Sequence, residues 1–213
     1  MTVLEKVASL FMRHSNVSEH IVVMSPQGSV RDEAKLVTEL FKNGLAVYHL
    51  RRPRWQKVRF KKFIEQIPEQ FRSRIVLHHY PDLVAKYNLG GFHLGSNAEI
   101  PPDYTDPLSA QCMQYSDAEK FGKRCRRLML GPVFLKDDRD ITIPTRTPQE
   151  FSAIISYWRK KNGSRTKFFA FGGVSGQNIA TCKHLGFDGV TLVSAIWDAA
   201  DPVKAFKEFK EKW

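Results

Sequence analysis

Eight short apolar runs, each followed by a polar or helix-patterned stretch, constrain this chain more than any other feature. The runs are His20 to Ser25, Ala46 to Leu50, Arg74 to His78, Gly91 to Leu94, Leu108 to Cys112, Arg127 to Leu130, Lys167 to Phe171 and Gly189 to Val193. Strands apolar on both faces and separated by helices belong to a parallel sheet covered on both sides. Eight such units within 213 residues point to a closed (β/α)8 barrel, at the short end of the length that fold takes. Val30 to Asn43 places Val30, Ala34, Val37, Leu40 and Phe41 on one helical face, with Gly44 as a stop. Trp55 to Phe71 repeats the pattern with Phe60, Phe63, Ile64 and Ile67. Asp201-Pro202 opens a last helix as N-cap and first residue, with Phe206, Phe209 and Trp213 on its apolar face.

The fourth and fifth units are the weak links, because residues 95–107 are polar, proline-rich and without helical spacing. An open flavodoxin-like or Rossmann sheet is the alternative. The segment Met24-Ser25-Pro26-Gln27-Gly28 after the first strand carries no GxGxxG fingerprint for it. The expected organisation is an N-terminal extension over 1–18 and one barrel domain over 19–213. No run of about 18 apolar residues marks a membrane span, and the N-terminus lacks the pattern of a signal peptide. Cys112, Cys125 and Cys182 are too scattered for a disulfide framework or a zinc site. The expected location is the cytoplasm.

In a (β/α)8 barrel the chemistry gathers at the C-terminal ends of the strands. Those ends hold Ser25, His49, Arg51, Arg52, His78, His79, residues 95–99, Gln111 to Met113, Gly131 to Phe134, Gly172, Gly173, Val193 and Ser194. The formal net charge of +11 favours anionic partners. Phosphorylated metabolites fit better than nucleic acid, for which no recognition motif is present. The sharpest local signal is Phe171-Gly172-Gly173-Val174-Ser175 followed by helix-like Gln177 to His184. A glycine pair past a strand can turn N–H groups toward an anion, and the next helix start adds partial positive charge. Val193-Ser194 closes the eighth strand, so both halves of a barrel phosphate site are in place.

In this order, GFHLG at Gly91 to Gly95, GPVF at Gly131 to Phe134, FGGV at Phe171 to Val174 and GFDGVTLVSAI with ADP at Gly186 to Pro202 resemble the thiamine phosphate synthase and thiazole tautomerase superfamily. The resemblance implies a transferase that joins a pyrimidine diphosphate to a thiazole phosphate, with pyrophosphate leaving and magnesium assisting. It implies Gly172, Gly173, Val193 and Ser194 as the thiazole-phosphate cradle and Arg51 as a diphosphate contact. Several positions depart. The family's Gln-Leu-Arg-x-Lys becomes His49-Leu50-Arg51-Arg52-Pro53, leaving Arg52 as a substitute cation. The Asn-Asp pair that contacts diphosphate and magnesium falls on His78-His79. The second metal aspartate falls on Ala98, with Glu99 one step away as the only metal candidate. The Ser-x-His falls on Gln111-Cys112-Met113, and of a Thr-x-Thr-Lys only the cation survives, at Arg139.

These departures leave His49, His78 and His79 as the candidates for proton transfer, or, when protonated, for offsetting charge in place of the metal. His93, inside a kept motif, reads as a structural residue facing the barrel wall. The expected function is the synthase reaction. The alternatives are a tautomerase-like isomerase, which would want a histidine where Met113 stands, and a re-tasked phosphoester-binding barrel. A homodimer is kept open.

Overall fold

The computed structural model describes residues 17–100, 103–113, 115–134, 145–162 and 165–213. Eight parallel strands close into a barrel in simple sequential order. They are β1 Ser18–Met24, β2 Leu45–Leu50, β3 Ile75–Leu77, β4 Gly91–Leu94, β5 Leu108–Cys112, β6 Cys125–Leu130, β7 Lys167–Phe171 and β8 Gly189–Leu192. Closure rests on β1, which pairs with β2 through Val22–Val47 and Met24–His49 and with β8 through Ile21–Val190 and Val23–Leu192. That ladder rules out the open-sheet alternative.

Around the barrel run helices α1 Glu33–Lys42, α2 Lys57–Gln66, α3 Glu69–Arg72, α4 Asp82–Lys86, α5 Tyr115–Phe121, α6 Pro148–Asn162, α7 Ile179–His184, α8 Ser194–Trp197 and α9 Pro202–Lys212. The expected helix over Trp55 to Phe71 is split into α2 and α3. Pro68 is the cause: Ile67 before it is held extended at φ −86°, ψ 129°, out of the helical region. Helix α1 begins three residues later than its periodicity suggests, because Asp32 takes a left-handed conformation at φ 55°. Asp201 caps α9 as expected, its Oδ1 accepting from the Val203 and Lys204 amides at 2.9 and 3.0 Å. The described part of 95–107 holds no helix, so β4 and β5 are joined by an irregular crossing.

The two faces of each strand serve two layers. Outward residues such as Ile21, Val23, Tyr48, Leu50, Leu128 and Leu192 pack against the helices in one continuous core. Inward residues Val22, Met24, Val47, Val76, Met129 and Phe169 fill the lower and middle barrel. The same alternation turns His49, His93 and Ser109 inward toward the C-terminal mouth, where they are buried.

The strongest polar element of the fold lies beside that mouth. Arg52, almost fully buried, forms an ion pair with the equally buried Glu33 and donates from Nη1 to the Pro26 and Gly28 carbonyls at 2.7 Å each. Tyr48 donates to the other Glu33 oxygen at 2.6 Å, and Trp55 lies under the guanidinium at 5.0 Å. Lys57–Asp82 and Lys161–Glu119 are exposed pairs, of a kind worth about 0–1 kcal/mol each. Arg52→Ala would instead strand a buried carboxylate, at a cost of about 3–5 kcal/mol. Chemical denaturation should show that loss for Arg52→Ala and less than about 1 kcal/mol for Lys57→Ala.

Candidate active site

Two cavities open at the C-terminal end of the barrel. The larger, about 400 Å³, lies between the end of β1 and the ends of β7 and β8. Gly172 and Gly173 form one wall, both with positive φ, 92° and 65°. A Cβ on Gly172 would come within 2.8 Å of Pro132, and one on Gly173 within 2.7 Å of the Phe134 carbonyl oxygen. Both positions therefore need glycine for conformation and for close approach. Asn178, buried behind the turn, fixes it by donating to the Gly173 carbonyl at 2.9 Å and accepting from the Ser175 amide at 2.8 Å. Val193 and Ser194 line the opposite side, where α8 starts and its first amides lack intrahelical acceptors.

The expected cradle residues Gly172, Gly173, Val193 and Ser194 thus face one cleft. Gln27, Ser29 and Thr191 also line it and add to the expected set, while Asp198 at its edge brings a carboxylate that does not bind an anion. Thr191 Oγ1 is buried and finds no hydrogen-bond partner among the described residues. An anion in the cleft would supply one. Gln27 and Ser29 belong to the loop after β1 whose Pro26 and Gly28 carbonyls Arg52 holds. Arg52, expected to meet substrate, directs both terminal nitrogens to this loop and to Glu33, so it shapes the cleft wall rather than the anion's surroundings. Among the described residues, the family's place for a second cation is not matched by a free guanidinium.

The smaller cavity, about 140 Å³, sits over the barrel axis and is lined by Met24, Arg51, His78, His93, Gln111, Met129 and Phe171. Phe171 lines both cavities, so they adjoin. Ser25 Oγ holds the Arg51 backbone at both ends, donating to its carbonyl at 2.8 Å and accepting from its amide at 2.9 Å. The exposed Arg51 side chain reaches the smaller cavity.

The expected histidines divide. His78 lines this cavity, and His49 is wholly buried beneath it, its Nδ1 3.0 Å from His78 Nε2. His79 is not in its lining and packs edge-on against Phe60 of α2, ring centres 6.1 Å apart. His93 takes the place expected for His79. It is turned into the barrel interior rather than against the wall, with its ring 4.3 Å from that of His78 and 5.1 Å from that of His49. Its position inside a kept motif hides this. The signal that could have found it is the strand alternation, which puts His93 in register with inward Ser109.

Burial, followed by the other histidines and nearby arginines, pushes the His49 and His78 pKa values well below the ordinary imidazole range; burial and then Arg51 bring His93 to about 3. Burial and then Arg51 lower His79 as well. Burial and the facing cations favour the neutral form of these rings in the ligand-free chain, so any protonated histidine offsetting diphosphate charge would need the bound diphosphate to raise its pKa. The positions where the resemblance implies magnesium do not fit that ion. His79 offers a nitrogen, Ala98 no donor, and Glu99 is a lone exposed carboxylate, whereas magnesium needs several oxygens in near-octahedral array. Met113, where an isomerase would place a proton-transferring histidine, is an exposed thioether accepting from Gln111 Nε2 at 3.3 Å. Cys112 is fully buried and its thiol pKa is pushed up, first by burial, so it is core and not a nucleophile. Arg139 lies outside the described residues.

A protein-family model described as thiamine monophosphate synthase matches residues 20–196. The chain belongs to this family. Among curated relatives, the thiamine-phosphate synthase of Bacillus licheniformis is 21% identical over 208 residues, with 89% of this chain and 88% of the relative covered. That of Thermus thermophilus is 23% identical over 202 residues, with 90% and 94% covered. Among solved structures, thiamine phosphate pyrophosphorylase from Bacteroides thetaiotaomicron superimposes with a TM-score of 0.76 at 25% identity, covering 91% of this chain and 96% of the other. The pyrophosphorylase from Pyrococcus furiosus reaches 0.72 at 18% identity, with 94% and 96% covered, and shows the shared fold.

The neutral histidines set a pH dependence. A base whose folded pKa is depressed binds more protons unfolded than folded once pH falls below the unfolded value of about 6.5. Their contribution is therefore complete above about pH 6.5 and is lost as pH falls toward their folded pKa values. The slope is up to about 1.4 kcal/mol per pH unit for each histidine. Denaturation midpoints measured from about pH 7.5 to 4.5 should fall, and His93→Gln should flatten the curve.

Proposed function

We propose that this chain is a thiamine-phosphate-synthase-type transferase that joins a pyrimidine diphosphate to a thiazole phosphate and releases pyrophosphate. The observation that carries this reading is the pair of adjoining cavities sharing Phe171. One is a glycine-walled cleft with an unpartnered buried hydroxyl, and the other is a small polar pocket under Arg51. The cleft takes the phosphate of the thiazole partner near Gly172, Gly173, Val193, Ser194 and Thr191. The axial pocket takes the pyrimidine, with Arg51 over its diphosphate.

In the transfer, the bond between the pyrimidine methylene carbon and the diphosphate oxygen breaks, and the thiazole nitrogen lone pair forms the new C–N bond. The protein's share is to hold the attacking nitrogen, the methylene carbon and the leaving oxygen in line and to offset charge on the departing diphosphate. Arg51 is the cation placed for the second task. His78, neutral and at the cavity wall, can hydrogen-bond the pyrimidine; His49 acts only through His78. The resemblance implies His79 and Arg139 as further contacts of the diphosphate. Phosphorylated metabolites and three buried free thiols are in keeping with a cytoplasmic setting.

Arg51→Ala should weaken pyrimidine-diphosphate binding by about ten- to a hundred-fold, the loss of one charge-assisted hydrogen bond of roughly 1.5–3 kcal/mol. Thiazole-phosphate binding should change little. Ser194→Asp should do the reverse by placing a negative charge at the cleft, without the backbone strain that any side chain at Gly173 would add. Calorimetric titration of each ligand against each variant separates the two effects. Equal losses for both ligands in both variants would overturn the division of the site. Thiamine phosphate formation from the two substrates tests the reaction itself; tight binding of both with no product would move the protein to a phosphoester-binding role.

A further inference from the structure

The three interior histidines make a constellation of which the transferase reading uses His78 directly, His49 only through it, and His93 not at all. His49, His78 and His93 come from consecutive strands β2, β3 and β4, and one ring nitrogen from each lies within 4.8 Å of the others. It is the histidine, cysteine or carboxylate cluster with this geometry found among the described residues. We propose that these three imidazoles form a binding site for a borderline divalent transition ion, zinc being the type, with its fourth position open to the axial cavity.

The ligand chemistry supports nitrogen-loving ions over magnesium. Zinc takes imidazole nitrogens at about 2.0–2.1 Å, so neighbouring ligands of a tetrahedral site stand about 3.3 Å apart. His49 Nδ1 and His78 Nε2 are already 3.0 Å apart. With no ion, one of these two nitrogens has to carry a proton directed at the other. His93 Nδ1 is 2.9 Å from Ser109 Oγ, which fixes the ring and leaves Nε2 as the free lone pair. A hydrogen bond on the far nitrogen is the usual device that orients a ligating histidine. His49 Nε2 is buried without a partner among the described residues, so the trio is not a closed hydrogen-bond network. Ligation by both His49 Nδ1 and His78 Nε2 needs the proton between them to move to the far nitrogen of its own ring, a change of tautomer.

The surroundings suit an ion that also meets a ligand. His78 and His93 line the cavity and His49 lies below them, so the open coordination position points to where Arg51, Gln111 and Phe171 close the pocket. Three protein ligands and one open position is the arrangement of zinc sites that bind water or an oxygen of a substrate. Met24 and Met129 add apolar lining to the same cavity. A water or a phosphate oxygen is the chemical class of the fourth ligand.

The proposal is independent of the synthase reading, because it can be tested on the whole protein with metal alone. Protein stripped with chelator should bind one equivalent of zinc by calorimetry at micromolar or tighter affinity. Cobalt in its place should give the intense visible bands of a four-coordinate ion, which weaken on zinc addition. His78→Gln and His93→Gln should each lower zinc affinity by about a hundred-fold or more. Ser109→Ala, which frees only the far side of His93, should lower it by about ten- to a hundred-fold. His79→Ala should leave it unchanged. Circular dichroism of each variant separates loss of a ligand from loss of the fold. The wild-type cobalt spectrum needs no variant at all. No zinc binding by the folded wild-type protein, an octahedral cobalt spectrum, or affinity that survives both glutamine substitutions would overturn the site. Any of these would leave the two-cavity reading of the phosphorylated substrates standing.

Discussion

Strand β1 is bonded on both sides, to β2 and to β8, and everything at the mouth of the barrel follows from that closure. A closed sheet has a fixed interior volume, so every second residue of eight strands competes for the same space. In the lower half the competition is settled by Val22, Val47, Val76, Met129 and Phe169. In the upper half it is settled by polar groups: His49, His78, His93, Gln111 and Thr191. Closure also brings the chain's first strand end beside its last two. The loop after β1 and the turns after β7 and β8 can therefore share one cleft, although Gln27 and Gly172 are far apart in sequence.

That cleft depends on an ion pair placed away from the ligand. A buried charge pair alone adds little to stability, since desolvation cancels most of the attraction. Here Arg52 also satisfies the Pro26 and Gly28 carbonyls, and Glu33 satisfies Tyr48, so each charge has several partners. The result is a loop fixed in position next to a strand end. Arg51 and Arg52, adjacent in sequence, have opposite fates because successive residues leaving a strand point to opposite sides. One reaches the cavity and the other is locked under the loop.

The eight strands were legible because burial on both faces leaves an unmistakable apolar run, and their expected ends agree with the structure to within about two residues. The glycine cradle was legible for the same local reason, since Gly172 and Gly173 are adjacent and follow a strand. What could not be read were features made by residues far apart in the chain. Arg52 looks like a second phosphate cation until Glu33 is seen beside it. His79 looks like the partner of His78 until strand direction puts His93 there instead. Gln27, Ser29 and Thr191 carry no local signature, and only the closing of β1 onto β8 brings them to the cleft. The split of α2 from α3 was present as Pro68 and was masked by continuous apolar spacing through Ile67 and Phe71.

The departures from the family pattern are not scattered. Where the resemblance implies an asparagine on the diphosphate and two aspartates on a hard cation, this chain has His78 for the first and His79 and Ala98 for the other two. Where it implies glutamine, this chain has His49. Exchanging oxygens for imidazoles changes two properties at once. It removes the fixed negative charge that a magnesium ion would balance, which raises the share of diphosphate charge left to Arg51 and to the overall +11 of the chain. It also substitutes groups that stay neutral when buried, so they can sit deep in the barrel, next to one another, at a spacing two or more carboxylates would not tolerate. His49 and His78 stand where the resemblance implies neutral glutamine and asparagine, and His93 lies in a kept motif, so the cluster occupies positions free of carboxylates in either pattern, and its depth below the mouth is what a neutral ligand set permits and a charged one does not.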